Sequence, residues 1–325
     1  MSDTLPAKKR VTIVCPVFNE EKAVPLFYAR LTKALEPSAD KVDFEILFVN
    51  NRSTDSTEAT VLALREKDPR VELFTMSRNF GYQASISAGM FHASGDAIVN
   101  IDVDCEDPPE LIPTFIERWL AGADVAYGIR ARREEFVGMH LARKLFYRVT
   151  KRVSDHEIVL DMAEFFLVDR RVRDYVLSTR STFPFVRGQV GYVGFRREGI
   201  PYKREKRIIG ETHYNLYSAI RFGVAGILSS STLPLRFLAY VGVALFGVDV
   251  VGAAITVGMV LDDSIQVGRW VGFAVALALV HLGWIVLALG VIAIYLARVY
   301  KDSIGLPLFV GDSKHSTIQV KNHAR

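Results

Sequence analysis

Residues 98–111, IVNIDVDCEDPPEL, end an apolar run in Asp102, Asp104, Glu106 and Asp107, with the pair Pro108-Pro109 behind them. Four carboxylates this close repel one another unless positive charge sits among them. At the carboxyl end of a buried strand that charge is commonly a divalent cation with oxygen ligands. Alternate side chains of an extended chain point the same way, so Asp102, Asp104 and Glu106 are expected to face one cleft. A cation held there also grips a diphosphate, which fits a nucleotide-handling enzyme. The competing reading is a solvated acidic turn that opens a helix at Pro108-Pro109.

Such a site needs a scaffold. VTIVCPV (11–17), FEILFVN (44–50), VELFTM (71–76), DAIVNID (96–102) and DVAYGI (124–129) are apolar runs bounded by turn residues, the pattern of strands buried on both faces. Helical spacing runs from about Glu21 to Leu35 and from about Gln83 to Ala93, and RSTDS offers Thr54 or Asp55 as the cap of a helix between them. Strands alternating with helices predict an α/β fold with a mostly parallel, doubly wound, Rossmann-like sheet. Ligands of such sheets sit beyond the carboxyl ends of the strands, which singles out four polar loops: PVFNE, NNRSTD, SRNFG and DVDCED.

The chain has 325 residues, half of them hydrophobic, and a formal charge of only +4. That length holds one large domain with an appendage, or two domains. The apolar excess lies in residues 233–300, and Lys and Arg cluster at 130–133, 143–152 and 203–207. Cys15 and Cys105 read as reduced cytosolic thiols rather than a disulfide framework. MSDTLPAKKR lacks the apolar stretch of a signal peptide.

PVFNE, RSTD, SRNFGYQ and the DxD of DVDCED together resemble the family-2 glycosyltransferases of GT-A fold. The resemblance is to their membrane-anchored polyprenyl-phosphate branch, the bactoprenol glucosyltransferases and dolichol-phosphate mannose synthases, and it spans about residues 10 to 311. DxD in register with three other motifs is far more specific than DxD alone. The resemblance implies that Pro16, Val17, Asn19 and Glu20 line the base and ribose pocket and that Asn79 and Gly81 close it around the nucleotide. Asp102 and Asp104 would be the DxD pair, with Asp104 and Glu106 on Mg2+ or Mn2+ and Asp102 on the metal or on the ribose or sugar side. Asn50 and Asn51 stand where the family usually has two aspartates holding base and ribose. Asparagine adds a donor and loses the charge, and it can pair with the imide edge of uracil, so a UDP-sugar is favoured. The alternative is that both asparagines only shape the turn before RSTD.

The resemblance further implies an inverting transfer of one sugar, glucose or a related hexose, to a polyprenyl (undecaprenyl) phosphate, in modification of a cell-wall or lipopolysaccharide glycan. In IVLDMAEFFLVDRR (158–171), Asp161 and Glu164 match the family's acid that faces the sugar, Glu164 being favoured; the alternative is a carboxylate at a helix start. An anionic acceptor needs cations. YGIRARR offers Arg130, Arg132 and Arg133, and YKREKRIIGETHYN offers Lys203, Arg204, Lys206 and Arg207. The second segment resembles the family's RxxGxSK element through Arg207, Gly210 and Thr212, with His213 at the lysine position. Arg130, Arg132, Arg207 and His213 are thus the expected acceptor-phosphate contacts, although each arginine alone reads equally as a solvated surface charge. Asp104, Glu164, Asp161 and Arg207 are the expected catalytic residues.

Leu141, Leu145, Phe146, Val149 and Val153 recur at helical spacing among Arg143, Lys144, Arg148, Lys151 and Arg152: a basic amphipathic helix for an anionic membrane surface, or a packed surface helix. Residues 214–230 read as a second interfacial segment. Phe237–Leu261 and Trp270–Leu296 are each long enough to span a bilayer, forming a two-helix transmembrane hairpin. Arg236, Arg298 and Lys301, set against the acidic turn DDSIQVGR, place the catalytic domain and both termini in the cytosol, at a bacterial inner or plasma membrane. The expected division is a GT-A domain over 1–205, a juxtamembrane amphipathic segment over 206–232, two spans within 233–300 and a cytosolic tail over 301–325. Asp249 and His281 fall near the middles of the spans and are expected to pair with each other, or across a subunit contact in a homo-oligomer. No nucleic-acid partner is expected. Three other readings stay open. One is a GDP-mannose-dependent dolichyl- or polyprenyl-phosphate mannosyltransferase. Another is a processive polysaccharide synthase, whose QxxRW signature is matched by Gln266–Trp270, but in the exterior turn. The third is a catalytically silent membrane scaffold, favoured only by Asn50-Asn51.

Overall fold

The computed structural model describes residues 8–130, 162–179, 184–205, 231–261 and 267–321. They fall into two compact units, one containing all the strands and the chain from Gly305 onward, the other containing two long helices. In the first, β1 (Lys9–Val17), β2 (Val42–Asn50), β3 (Val71–Thr75) and β4 (Ala97–Asn100) are parallel neighbours in the order β3-β2-β1-β4. Val11, Ile13, Cys15 and Val17 of β1 enter one core layer and Val14 the other, while Phe44, Ile46 and Phe48 oppose Leu47 and Val49 on β2. Both faces of these strands are buried, which is why their sequences are continuously apolar. α1 (Ala23–Leu35), α2 (Thr57–Arg65) and α3 (Tyr82–His92) make the connections. The N-cap of α2 is Ser56 rather than the expected Thr54 or Asp55, and Asp55 Oδ1 accepts from Thr57 N at 3.0 Å in the turn just before it.

The far side of the sheet departs from a parallel wind. β5 (Val125–Arg130), β6 (Met162–Asp169) and β7 (Arg197–Tyr202) complete the order β3-β2-β1-β4-β6-β5-β7, with α4 (Ile112–Leu120), α5 (Arg170–Ser178) and α6 (Val186–Tyr192) alongside. β6 runs antiparallel to both β4 and β5, and β7 runs parallel to β5. The expected strand over 96–102 stops at Asn100 because the chain turns through the acidic segment, with Cys105 at φ 58°. Strand alternation therefore does not align Asp102, Asp104 and Glu106; a turn places each one separately.

In the second unit, α7 (Leu233–Leu261) and α8 (Val267–Ser303) overrun the expected spans at three of their four ends. Both are long and apolar enough to cross a membrane, over Leu233–Gly258 and Leu277–Ser303. The Tyr295 hydroxyl donates to Ser231 O at 2.8 Å, Phe237 meets Trp284 edge-on at 6.3 Å, and His281 Nε2 lies 3.0 Å from Asp249 Oδ2. The descending order of these partners makes the helices antiparallel. His281 Nδ1 faces the Leu277 carbonyl at 2.8 Å, which leaves Nε2 as the ring nitrogen turned towards Asp249. The expected basic helix over 138–153, the interfacial segment over 214–230 and the turn residues 262–266 lie outside the described residues.

α3 approaches the sheet so closely that only glycine fits at position 89. A Cβ there would overlap Val14 Cγ1 and lie 3.0 Å from Val49 Cγ2. Gly89→Ala should destabilise the protein by about 1–3 kcal/mol, read as a lower thermal midpoint in detergent. An unchanged midpoint would show that α3 can shift without cost.

Candidate active site

The parallel strands bring PVFNE, NNRSTD, SRNFG and DVDCED to one edge of the sheet, and side chains stitch each loop to the next. Asn19 N donates to Ser53 Oγ at 3.0 Å, and Asn19 Oδ1 accepts from Thr54 N at 2.8 Å. Asn51 Nδ2 donates to Asn79 Oδ1 at 2.9 Å, while Asn51 Oδ1 accepts from Phe80 N at 2.9 Å. Asn79 Oδ1 also accepts from Gly81 N at 2.9 Å, and Gly81, at φ 94°, opens α3. The Tyr82 hydroxyl then donates to Asp102 Oδ1 at 2.7 Å. Pro16 and Val17 close β1 as buried residues, while Asn19 and Glu20 stand in the loop beyond. Asn50 is fully buried: its Oδ1 accepts from Ser53 N at 2.9 Å, and its Nδ2 faces Glu58 Oε2 at 3.3 Å and Thr75 Oγ1 at 3.4 Å. Both asparagines thus shape the loops from within.

The four carboxylates of the acidic turn have four different settings. Asp107 is buried and bonded by the Tyr202 hydroxyl, with Arg130 Nη2 at 3.1 Å. Arg130 Nε lies 3.1 Å from Tyr202 Oη, so this arginine, expected to meet the acceptor, is tied into the wall of the turn. Glu106 is bonded by Arg204, and its carbonyl accepts from Glu205 N at 2.9 Å. Asp104 Oδ1 accepts from Glu106 N at 3.0 Å. The carboxyl of Asp102 is pushed up to about 7: burial is the main cause, the Tyr82 bond opposes it, and the charges of Asp104, Asp107 and Glu164 add to it.

Glu164, on β6, closes the cluster. Its Oε1 accepts from Gln83 Nε2 at 3.1 Å and lies 3.8 Å from Arg187 Nε. Burial pushes its carboxyl up, against the pull of Arg187, Gln83 and Arg130. Among the described residues Glu164 Oε2 and Asn100 Oδ1 are both buried without a hydrogen-bond partner. Asn100 Nδ2 donates to Glu164 O at 2.6 Å, which ties the end of β4 to β6.

A divalent cation fits this ground in a restricted way. No three His, Cys, Asp or Glu side chains converge on a metal position among the described residues. Glu106, expected as a ligand, is committed to Arg204. Asp102 and Asp104 carry the two remaining carboxylates of the DxD pair, and among the described residues oxygens of Asn100 and Glu164 are buried without a hydrogen-bond partner. Mg2+ in particular takes one or two carboxylates and completes its shell with water and substrate phosphates. The donor set suits that arrangement rather than an all-protein cage.

Asp161, Arg132, Arg133, Arg207, Gly210, Thr212 and His213 lie outside the described residues. Tyr82, Tyr202 and Arg187 were not singled out by sequence reasoning. Tyr202 ends a half-exposed strand, REGIPY, and Arg187 stands in FPFVRGQV, where a lone arginine among apolar residues is the available signal.

A family model described as "Glycosyl transferase family 2" matches residues 12–176. A Bacillus subtilis (strain 168) protein named "Uncharacterized glycosyltransferase YkcC" is 37% identical over 92% of this chain and 92% of its own. The "Prophage bactoprenol glucosyl transferase homolog" of Escherichia coli (strain K12) is 34% identical over 93% of this chain and 98% of its own. The "Bactoprenol glucosyl transferase" of Shigella phage SfV is 32% identical over 93% and 97%.

The raised carboxyl of Asp102 makes a prediction with a definite sign. An unfolded aspartate titrates near about 3.9 and this one at about 7, so between those values the native state holds a proton that the unfolded state lacks. Without a divalent cation, stability should therefore fall as pH rises through that window. Asp102→Asn should raise the thermal midpoint at about pH 8 and change it little at about pH 4. Equal effects at both values would remove Asp102 as the source.

Proposed function

The chain belongs to glycosyl transferase family 2, and from that premise we propose that it moves one hexose, glucose being favoured, from a UDP-sugar to a polyprenyl phosphate at the cytosolic face of a membrane. The observation that carries this reading is the stitching of four strand-end loops into one edge of the sheet, up to the buried Asp102 of the DxD pair. The two apolar helices support a lipid acceptor, as do relatives named for bactoprenol. The loops from β1, β2 and β3 would hold the nucleoside, Asn50 and Asn51 acting by fixing loop shape. Asp104 and Asp102 would hold Mg2+ or Mn2+, which when bound draws off the charge that builds on the departing diphosphate.

A phosphate oxygen of the lipid attacks the anomeric carbon. The bond from that carbon to the diphosphate breaks with its electron pair, and the configuration inverts. A phosphate monoester is already largely ionised near neutral pH, with a second pKa of about 6, so no strong base is required. Glu164, which lies between Gln83 and Arg187, would orient the sugar or acceptor rather than remove a proton. Arg130 and Arg204 neutralise the protein's own acids, so the acceptor phosphate falls to other cations, for which Arg132, Arg207 and His213 are the candidates.

Purified protein with undecaprenyl phosphate, Mg2+ or Mn2+ and radiolabelled UDP-glucose should yield label in the lipid extract as a single-sugar product. Label from GDP-mannose alone would change the donor, a polymer would change the class, and no label with any donor would sink the enzyme reading. Asp104→Asn should lower turnover by on the order of 10²–10³-fold with the protein still folded and membrane-bound.

A further inference from the structure

The residues after Gly305 return to the catalytic unit and lie along β3, the outermost strand on its side of the sheet. Gly311 bridges Met76. Ser77 N donates to Val310 O, Asp312 N to Thr75 O and Thr317 N to Leu73 O, each at 2.8 Å. Hydroxyls serve the remaining amides: Leu73 N donates to Thr317 Oγ1 at 2.8 Å and Thr75 N to Ser316 Oγ at 2.9 Å. Phe309 is buried against Phe74 and Phe91. Covering an exposed strand edge would alone justify such a segment.

Between Gly311 and Ser316, however, the tail makes charged contacts that edge coverage does not need. Asp312 Oδ2 accepts from Arg52 Nη1 at 3.1 Å. His315 Nδ1 lies 2.6 Å from Glu58 Oε1, and the other oxygen of Glu58 faces Asn50 Nδ2 at 3.3 Å. Both contacts lead to the loop after β2, one through the Arg52 side chain and one through Glu58 to the buried Asn50. Arg52 sits at φ 62°, a conformation that a large side chain keeps only when its surroundings hold it.

We propose that Asp312 and His315 are positioning residues of the donor site, fixing Arg52 and Glu58 so that the Asn50–Asp55 loop is preformed for a nucleoside diphosphate. The proposal rests on reading the strand-end loops as a nucleotide-sugar site. Preforming a loop removes its ordering cost from binding. The Arg52–Asp312 pair is partly exposed and adds little to global stability. Its loss should therefore appear in nucleotide affinity rather than in the thermal midpoint.

The probes are UDP and GDP, titrated with Mn2+ against the full chain in detergent. Asp312→Ala and Arg52→Ala should each weaken UDP binding about tenfold, and the double variant should be no worse than either single one. His315→Ala should weaken it in the same direction, and Asp312→Glu should recover part of the loss. The donor KM should rise with Kd while kcat holds. Thr317→Val, which removes an edge hydroxyl, should lower the midpoint and spare the affinity. Unchanged affinity in Asp312→Ala and Arg52→Ala, with wild type binding normally, overturns the positioning role, as does a loss that merely follows the midpoint of the nucleotide-free protein. A wild type that binds neither nucleotide overturns the donor-site reading and this proposal with it.

Discussion

Negative charge at the ends of β4 and β6 is the constraint around which this molecule is arranged. Asp102, Asp104, Glu106, Asp107 and Glu164 share ground that water reaches poorly, where like charges interact strongly. Much of the far half of the sheet can be understood as the response. β5 carries Arg130 and β7 carries Tyr202 to Asp107, and the residues after β7 carry Arg204 to Glu106. The antiparallel course of β6 sets Glu164 beside Asn100 rather than out in solvent.

The compensation is selective. Among the described residues Asp107 and Glu106 receive cations from the protein itself, while Asp102 receives a neutral hydroxyl from Tyr82 and Glu164 an amide from Gln83 with a more distant arginine. Burial and the neighbouring charges push up the carboxyl of Asp102 within this cluster. In the proposed function a divalent cation held by two protein carboxylates would take its remaining ligands from water and the diphosphate. Cation and nucleotide binding would then be coupled by the count of available oxygens.

Sequence made the near half of this arrangement legible and hid the far half, for identifiable reasons. β1, β2 and β3 are buried on both faces, so their apolar runs could mean little else, and the polar loops after them stood out by contrast. The acidic turn was visible in composition but not in shape, since nothing in DVDCED announces that Cys105 would turn left-handed. β7 was missed because an edge strand with an exposed face and Pro201 carries no apolar run. The tail was opaque because its pairing with β3 relies on Gly311, Ser316 and Thr317, whose side chains have no periodicity to detect.

Backbone strain gives an independent measure of where the molecule is specialised. Among the described residues three that are not glycine have positive φ: Asn19, Arg52 and Cys105. They lie in three different loops, PVFNE, NNRSTD and DVDCED, at the same edge of the sheet. Each costs on the order of 1–3 kcal/mol and persists only where the surroundings over-determine it. Asn19 is held by Ser53 and Thr54, Arg52 by Asp312, and Cys105 by a turn closed between Asp104 and Glu106. A loop serving only to connect a strand to a helix would relax to an unstrained path. That all three strained residues fall in the loops around the carboxylate pair means that the stability of the sheet is spent on the shape of this one edge.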